Sequence, residues 1–205
     1  MKIENRLDIV DVLNQLSPNG KGVEIGSFKG EFAAHIVKNW NGKLYMVDIW
    51  RPLSSEEYND ATNHMYHTDA YSVTMDNIKG YEDRAFMLRM TGKEASKLFG
   101  DESLDFIYID ADHTYEAIKE DIKDWYRKVK SGGLVMGHDY LPDYFYDGKE
   151  EKNQALYTYV DGKPEEAKFS GMFGVKPAID EFGKENGYTI NKTNEFLASW
   201  WFIKK

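Results

Sequence analysis

Five short groups of residues in this sequence could do chemistry. Glu24-Ile25-Gly26-Ser27-Phe28-Lys29-Gly30 sets an acid ahead of Gly-x-x-x-Gly. At a strand-to-helix turn, unpaired backbone N–H groups and the helix dipole favour an anion there, a carboxylate or a phosphate. A dinucleotide site needs Gly-x-Gly-x-x-Gly to make room beside the pyrophosphate; Phe28 stands where the middle glycine belongs, which argues against a dehydrogenase. Asp48, followed by Ile49, comes 22 residues after Gly26. A carboxylate at that distance can accept hydrogen bonds from both hydroxyls of a ribose. The plain alternatives are a tight turn at the glycines and a helix cap at Asp48. Thr91-Gly92, Asp110-Ala111-Asp112-His113 and His138-Asp139-Tyr140 each follow an apolar run. Thr91 stands at capping-box distance from Glu94, and Asp112 can cap the segment after it, so both also have ordinary structural uses.

Those groups need a scaffold, and the periodicities supply one. Ile3, Leu7, Val10, Leu13 and Leu16 have helical spacing, so residues 1–17 predict a covering helix that Ser17-Pro18-Asn19-Gly20 stops. Val23–Ile25 reads as a strand, the stretch carrying Phe32, Ala33, Ile36, Val37 and Trp40 as a helix, and Leu44–Val47 as a second strand. Residues 54–79, opening on Ser54 and Glu57 and rich in Tyr, His and Asn, predict a helical insert over the site. Strands follow at Ala85–Met90, Leu104–Asp110 and Leu134–Gly137. A short helix runs from Thr91 to near Gly100, and an amphipathic one carries Tyr115, Ile118, Ile122, Trp125, Tyr126 and Val129, with Ser131-Gly132-Gly133 ending it.

Residues 140–172 lack periodicity and predict a long functional loop or lid, equally suited to a contact between subunits. Pro177 predicts the first position of a helix that Gly187 ends; Tyr188–Ile190 and Phe196–Ile203 then predict an antiparallel hairpin. The alternation implies a mostly parallel, seven-stranded α/β sheet with helices on both faces, whose ligands lie at the strands' carboxyl ends. All five chemical groups fall there.

A chain of 205 residues predicts one domain, and 41% hydrophobic with 30% charged residues fits a folded globular class. Zero cysteines exclude disulfides and thiolate chemistry. A net charge of −9 disfavours nucleic acid as partner. The first residues lack a secretion pattern and no apolar run reaches membrane-spanning length, so the expected address is cytoplasmic.

Through VEIGSFKG, the acidic end of LYMVD, the run DFIYIDADHTYEAIKEDIKDWYRKVKSGGLVMGHDY, GVKPAIDEF and the terminal hairpin, the sequence resembles the class I S-adenosylmethionine-dependent methyltransferases over roughly its whole length. Asp-x-Asp-His, then Gly-Gly and His-Asp-Tyr, is similar to the small-molecule O-methyltransferase branch that includes the macrocin-type sugar methyltransferases. The resemblance implies a Rossmann-like open sheet with a reversed last strand and S-adenosylmethionine across its first half. By residue, it implies that Gly26, Ser27 and Gly30, with Phe28 between them, shape the turn around the methionine moiety. Glu24 would help hold its ammonium, Asp48 with Ile49 would take the ribose, and Thr91 and Gly92 would lie near the adenine.

The resemblance also implies that Asp110, at the cofactor's edge, and Asp139 bind a divalent metal such as Mg or Mn, and that His113 acts as base. His138 stands where a carboxylate or amide is usual in the metal-dependent members. It would serve as a third ligand favouring Mn²⁺, Fe²⁺ or Zn²⁺, or else no metal binds and His138 touches the acceptor directly. The implied acceptor is a hydroxyl of a small, sugar-like or natural-product-like molecule. A cofactor-binding protein without methyl transfer and a nucleotide-binding oxidoreductase are the other readings. His64 and His67 have one-face helical spacing, although a polar surface explains them as well, and His35 reads as packing. Tyr140, Tyr144, Tyr146, Tyr157 and Tyr159 could stack on an acceptor or fold back as a cover.

Overall fold

Strands and helices alternate along the chain in the computed structural model, which describes residues 2–51, 64–141, 155–160, 163–168 and 174–205. A 3-10 turn (Arg6–Asp8) leads into α1 (Ile9–Leu16), then β1 (Lys21–Ile25), α2 (Glu31–Asn39), β2 (Lys43–Asp48), α3 (His64–Asn77), β3 (Ala85–Arg89) and α4 (Gly92–Ser96). There follow β4 (Leu104–Ile109), α5 (Tyr115–Tyr126), β5 (Val129–Gly137), β6 (Ala155–Val160), β7 (Lys163–Lys168), α6 (Val175–Asn186), β8 (Asn191–Lys192) and β9 (Trp200–Ile203). Seven strands form one sheet in the order β3-β2-β1-β4-β5-β9-β8. The first five run parallel; β9 is antiparallel to β5, and β8 to β9. Among the described residues no helix is long and apolar enough to cross a membrane.

Strand alternation divides the core in two. In β1 and β4, Val23, Ile25, Ile107 and Ile109 face one layer with Ile118, Ile122 and Trp125 of α5 and Ala178 and Ile179 of α6. Phe106 and Tyr108 face the other, with Leu13 of α1 and Phe32, Ile36 and Val37 of α2. Residues on both faces are fully buried, which is why these strands read as apolar runs. Burying each such side chain contributes about 1.5–3 kcal/mol. Gly22 gives way to this layer: a Cβ there would stand 1.8 Å from the Phe106 ring.

The first helix starts later than its apolar spacing predicts. Asn5 accepts from Leu7 N at 2.9 Å, and Asp8 accepts from Asn5 N at 2.9 Å, so this reciprocal cap winds a 3-10 turn and leaves α1 to begin at Ile9. The helix after β4 ends at Tyr126, and β5 already pairs with β4 at Val129. Gly132, at φ +80°, takes up the register shift that the sequence reads as a helix stop. Pro177 is the third residue of α6, another position whose N–H has no intrahelical partner. The terminal hairpin is shorter than expected, with Tyr188–Ile190 outside the sheet and pairing confined to Asn191–Lys192 and Trp200–Ile203.

Inside segment 140–172, expected as a loop, β6 and β7 pair as a separate antiparallel ribbon. Ser54, Glu57, Tyr144 and Tyr146 lie outside the described residues, as do the side chains of His64, His67, Tyr157 and Tyr159.

Candidate active site at the carboxyl ends of the strands

Backbone pairing draws the chemical groups to one rim. Gly26 N donates to Val47 O at 2.8 Å, Asp110 N to Ile25 O at 2.8 Å, and His138 N to Ile109 O at 3.0 Å. Gly26 (φ +89°) lies against the β4 end so closely that a Cβ would stand 1.9 Å from Asp110 O. Only glycine fits there, on both space and dihedral.

The turn after β1 is clamped from three sides. Asp48 accepts from Phe28 N through Oδ2 and from Trp50 N through Oδ1, both at 2.8 Å. The expected ribose ligand therefore also holds the loops around it. Phe28 (φ +46°) and Trp50 (φ +40°) take left-handed backbone conformations that cost residues with a Cβ. Phe28 O accepts from Trp50 Nε1 at 2.7 Å and from Thr74 Oγ1 at 2.8 Å, and Lys29 O accepts from Asn77 Nδ2 at 2.9 Å. Arg89 fixes the neighbouring chain, donating to Ile49 O at 3.3 Å and Trp50 O at 2.7 Å. Trp50, Thr74, Asn77 and Arg89 were not legible as site residues, since their partners are backbone carbonyls that no spacing reveals.

Ser27 Oγ donates to Glu24 Oε2 at 2.7 Å. Burial, reinforced by the charges of Asp110 and Asp48, pushes the Glu24 carboxyl up to about 8 against that hydrogen bond. Thr91 commits its hydroxyl to a capping box with Glu94 that starts α4 at Gly92, so the structural use of Thr91 is realised. Asp112 accepts from Thr114 N at 2.8 Å, and Thr114 caps α5. His35 bonds to Leu7 O at 2.9 Å and belongs to packing.

Beside the clamped turn sits an acid–imidazole cluster. His113 Nε2 lies 2.9 Å from Asp139 Oδ2 and 3.3 Å from Asp110 Oδ1. His138 Nδ1 lies 3.2 Å from Asp139 Oδ1 and 3.8 Å from Asp110 Oδ1. Burial alone would lower the His113 pKa, but the two carboxylates outweigh it and push it up to about 10. His138 is likewise raised against burial, by Asp139 first and Asp110 next. Asp139 is buried, which opposes ionisation, yet the two imidazoles hold its carboxyl well below the usual range. It also sits at φ +56°. Ligand atoms of Asp110, His113 and Asp139 lie within 4.8 Å of one another. The histidine in that group is His113, expected as the base, whereas His138, expected as the ligand, turns its Nε2 to Arg6 Nη1 at 3.5 Å.

Two further elements complete the surroundings. Arg6 reaches in from the N-terminal turn, over the Phe32 ring at 5.5 Å and near Tyr108, whose hydroxyl meets Ser199 Oγ at 3.0 Å. Gly174 N donates to His113 O at 2.7 Å, so the start of α6 holds the His113 loop. Tyr140 donates to Asp180 and lies under Lys176, which ties it to α6.

The sequence profile of a family described as a methyltransferase domain matches residues 23–140, more than half of the chain, from the start of the glycine turn to the residue after Asp139. This chain belongs to that family. The methyltransferase also shares its fold with solved structures of low sequence identity. An O-methyltransferase from Bacillus cereus, solved in complex with S-adenosylhomocysteine, superposes with a TM-score of 0.63 at 14% identity, covering 100% of this chain and 83% of that one. The O-methyltransferase TomG of Streptomyces achromogenes, from tomaymycin synthesis and solved with S-adenosylmethionine, gives 0.61 at 12%, covering 98% and 80%. A Clostridium thermocellum protein provisionally named an rRNA methylase gives 0.60 at 13%, covering 100% of both chains.

Proposed function

We propose that this methyltransferase uses S-adenosylmethionine to methylate a hydroxyl of a small molecule. The observation that carries the reading is the meeting, at one rim, of the clamped Gly26–Gly30 turn, Asp48 and the Asp110–His113–Asp139 cluster. The cofactor would supply an activated methyl group on a sulfonium. Gly26, Ser27, Phe28 and Gly30 bound the space for its amino-acid end. Glu24 faces the ammonium, whose charge favours the ionised carboxylate, while Asp48 and Ile49 take the ribose and Thr91 and Gly92 lie toward the base. Asp110 and Asp139 orient the acceptor hydroxyl, and His113 removes its proton, a role worth about 10²–10⁴ in rate. Holding donor and acceptor in line supplies the remaining large factor.

In the ligand-free chain the two acids keep His113 protonated at neutral pH, which opposes its use as a base. Two carboxylates and an imidazole fit a divalent cation such as Mg²⁺ or Mn²⁺, which Asp110 and Asp139 would hold with His138, keeping His113 for the proton. Such an ion would lower the pKa of the acceptor hydroxyl and weaken the acids' hold on the His113 proton.

Thermal unfolding with S-adenosylmethionine or S-adenosylhomocysteine, with EDTA or Mn²⁺, tests the reading. A ligand at about 100 times its Kd adds roughly 2.7 kcal/mol, or about 5–11 °C here. A cofactor shift, with a further Mn²⁺ shift lost in Asp139→Ala, is expected; no shift with either cofactor form removes the reading. For an acceptor the wild type methylates, His113→Ala should lose about 10²-fold or more in turnover while keeping S-adenosylhomocysteine affinity within about threefold. Unchanged turnover would remove the base.

A further inference from the structure

Arg6 brings a permanent positive charge to the acid–imidazole cluster, and backbone bonds on either side of it hold it there. Arg6 N donates to Glu195 Oε2 at 2.8 Å, Asn194 N donates to Glu4 O at 2.7 Å, and Asn5 and Asp8 cap the turn reciprocally. Leu7 O is bonded to His35 of α2 at 2.9 Å. The turn is thereby fixed against α2 and the β8–β9 connection. From it the guanidinium extends over the Phe32 ring and brings Nη1 to 3.5 Å from His138 Nε2.

The Arg6 fork is largely uncommitted. A contact of 3.5 Å stands at the long limit for a hydrogen bond, and among the described residues no carboxylate lies within salt-bridge distance of the guanidinium. Asp110, Glu195 and Glu24 are near enough to act on its charge without pairing with it. A ligand can reach it. Arg6 is partly exposed, and the side chains of Asp110 and His113 keep 24% and 25% of their surface open.

Its polar neighbours put Arg6 on the acceptor side of the rim. The strands β1, β2 and β3 lead into Gly26–Gly30, Asp48 and Thr91, on one side of the sheet order, whereas Arg6 meets Tyr108 of β4, His138 after β5 and Glu195 between β8 and β9. The two nitrogens of His138 face different groups: Nε2 faces Arg6, and Nδ1 faces Asp139 and Asp110. A molecule with a hydroxyl at the acids that also touches Arg6 therefore spans about the width of one small ring.

We propose that Arg6 binds a carboxylate carried by the acceptor, on a ring that also carries the hydroxyl to be methylated. This rests on the methyl transfer proposed above and names the class of its substrate, a small hydroxy acid. Arginine's planar fork meets the two oxygens of a carboxylate with two parallel N–H bonds, and its single charge balances a monoanion better than a phosphate dianion. The surrounding acids repel an anionic acceptor, so the Arg6 charge decides whether one is taken.

The test is calorimetric titration of the intact chain saturated with S-adenosylhomocysteine, so that the cofactor's own carboxylate is already seated. The probes are glucuronate against glucuronamide and para-hydroxybenzoate against para-hydroxybenzamide, pairs in which an uncharged amide of the same shape replaces the carboxylate. The wild type should bind the acid of at least one pair roughly 10- to 100-fold more tightly than its amide, the range for hydrogen bonds to a charged group. In Arg6→Gln that ratio should fall to within about threefold, and Arg6→Lys, which keeps the charge without the fork, should retain part of it. A merely structural role for Arg6 would not move the ratio. Both variants should bind S-adenosylhomocysteine within about threefold of the wild type; a loss of about tenfold or more would mean that Arg6 holds the cofactor's carboxylate, and overturns the assignment. Equal binding of acid and amide in the wild type, binding of neither pair, or an unchanged ratio in Arg6→Gln overturns it as well. A wild type that does not bind S-adenosylhomocysteine removes the cofactor reading, and this one with it. Failure of both variants to fold makes Arg6 structural and ends the proposal.

Discussion

Glu24 and His113 are both shifted by their surroundings, in ways that matter differently. For Glu24 the folded pKa, about 8, exceeds the ordinary 4.5, chiefly through burial. The unfolded chain therefore releases this proton at a lower pH than the native one, and stability falls as pH rises from about 4.5 to about 8. Glu24→Gln keeps a carbonyl to accept from Ser27 and has no proton to lose. Its unfolding temperature should gain on wild type across that window, by the equivalent of on the order of a few kcal/mol. Parallel curves from pH 5 to 8 would show that the carboxyl is not held neutral. At this scale much was readable: Glu24, Gly26, Asp48, Asp110, His113, His138 and Asp139 all reach the rim. Which histidine stands nearest both acids was not, because it depends on side-chain directions at the ends of two strands.

At the scale of elements, the parallel strands and their helices follow directly from apolar runs and their flanking turns. The misses share a cause. The 3-10 start, the bulge at Gly132 and the short β8 are set by individual hydrogen bonds, whereas periodicity reports only on buried faces. For the same reason the part played by α3 stayed hidden: Thr74 and Asn77 act on Phe28 O and Lys29 O through two ordinary polar side chains. Thr74→Val removes one donor to the turn and leaves the Trp50 bond to the same carbonyl. It should cost about 1 kcal/mol of stability and weaken S-adenosylhomocysteine binding several-fold. Unchanged affinity would mean that α3 does not set the shape of the turn.

For the molecule as a whole, the fold alone does not separate a small-molecule enzyme from one acting on RNA, since provisional members of both kinds share it. Charge is what favours the small-molecule reading: with 35 acidic against 26 basic residues, and with Asp110 and Asp139 in the proposed site, a phosphate backbone would be repelled. Fluorescence anisotropy with a short single-stranded RNA at about 150 mM salt should show no binding tighter than about 10⁻⁴ M. Saturation at micromolar protein would move the acceptor class from small molecule to nucleic acid.

All five tryptophans are buried, and Trp50 alone has its indole N–H on the glycine turn, at Phe28 O. That makes the protein its own spectroscopic probe. Excitation of the intrinsic fluorescence should reveal nucleoside occupancy without any label, as a change in intensity or emission maximum that saturates with ligand. Trp50→Phe should abolish most of the change, and a change that survives in that variant would place the reporter at another indole.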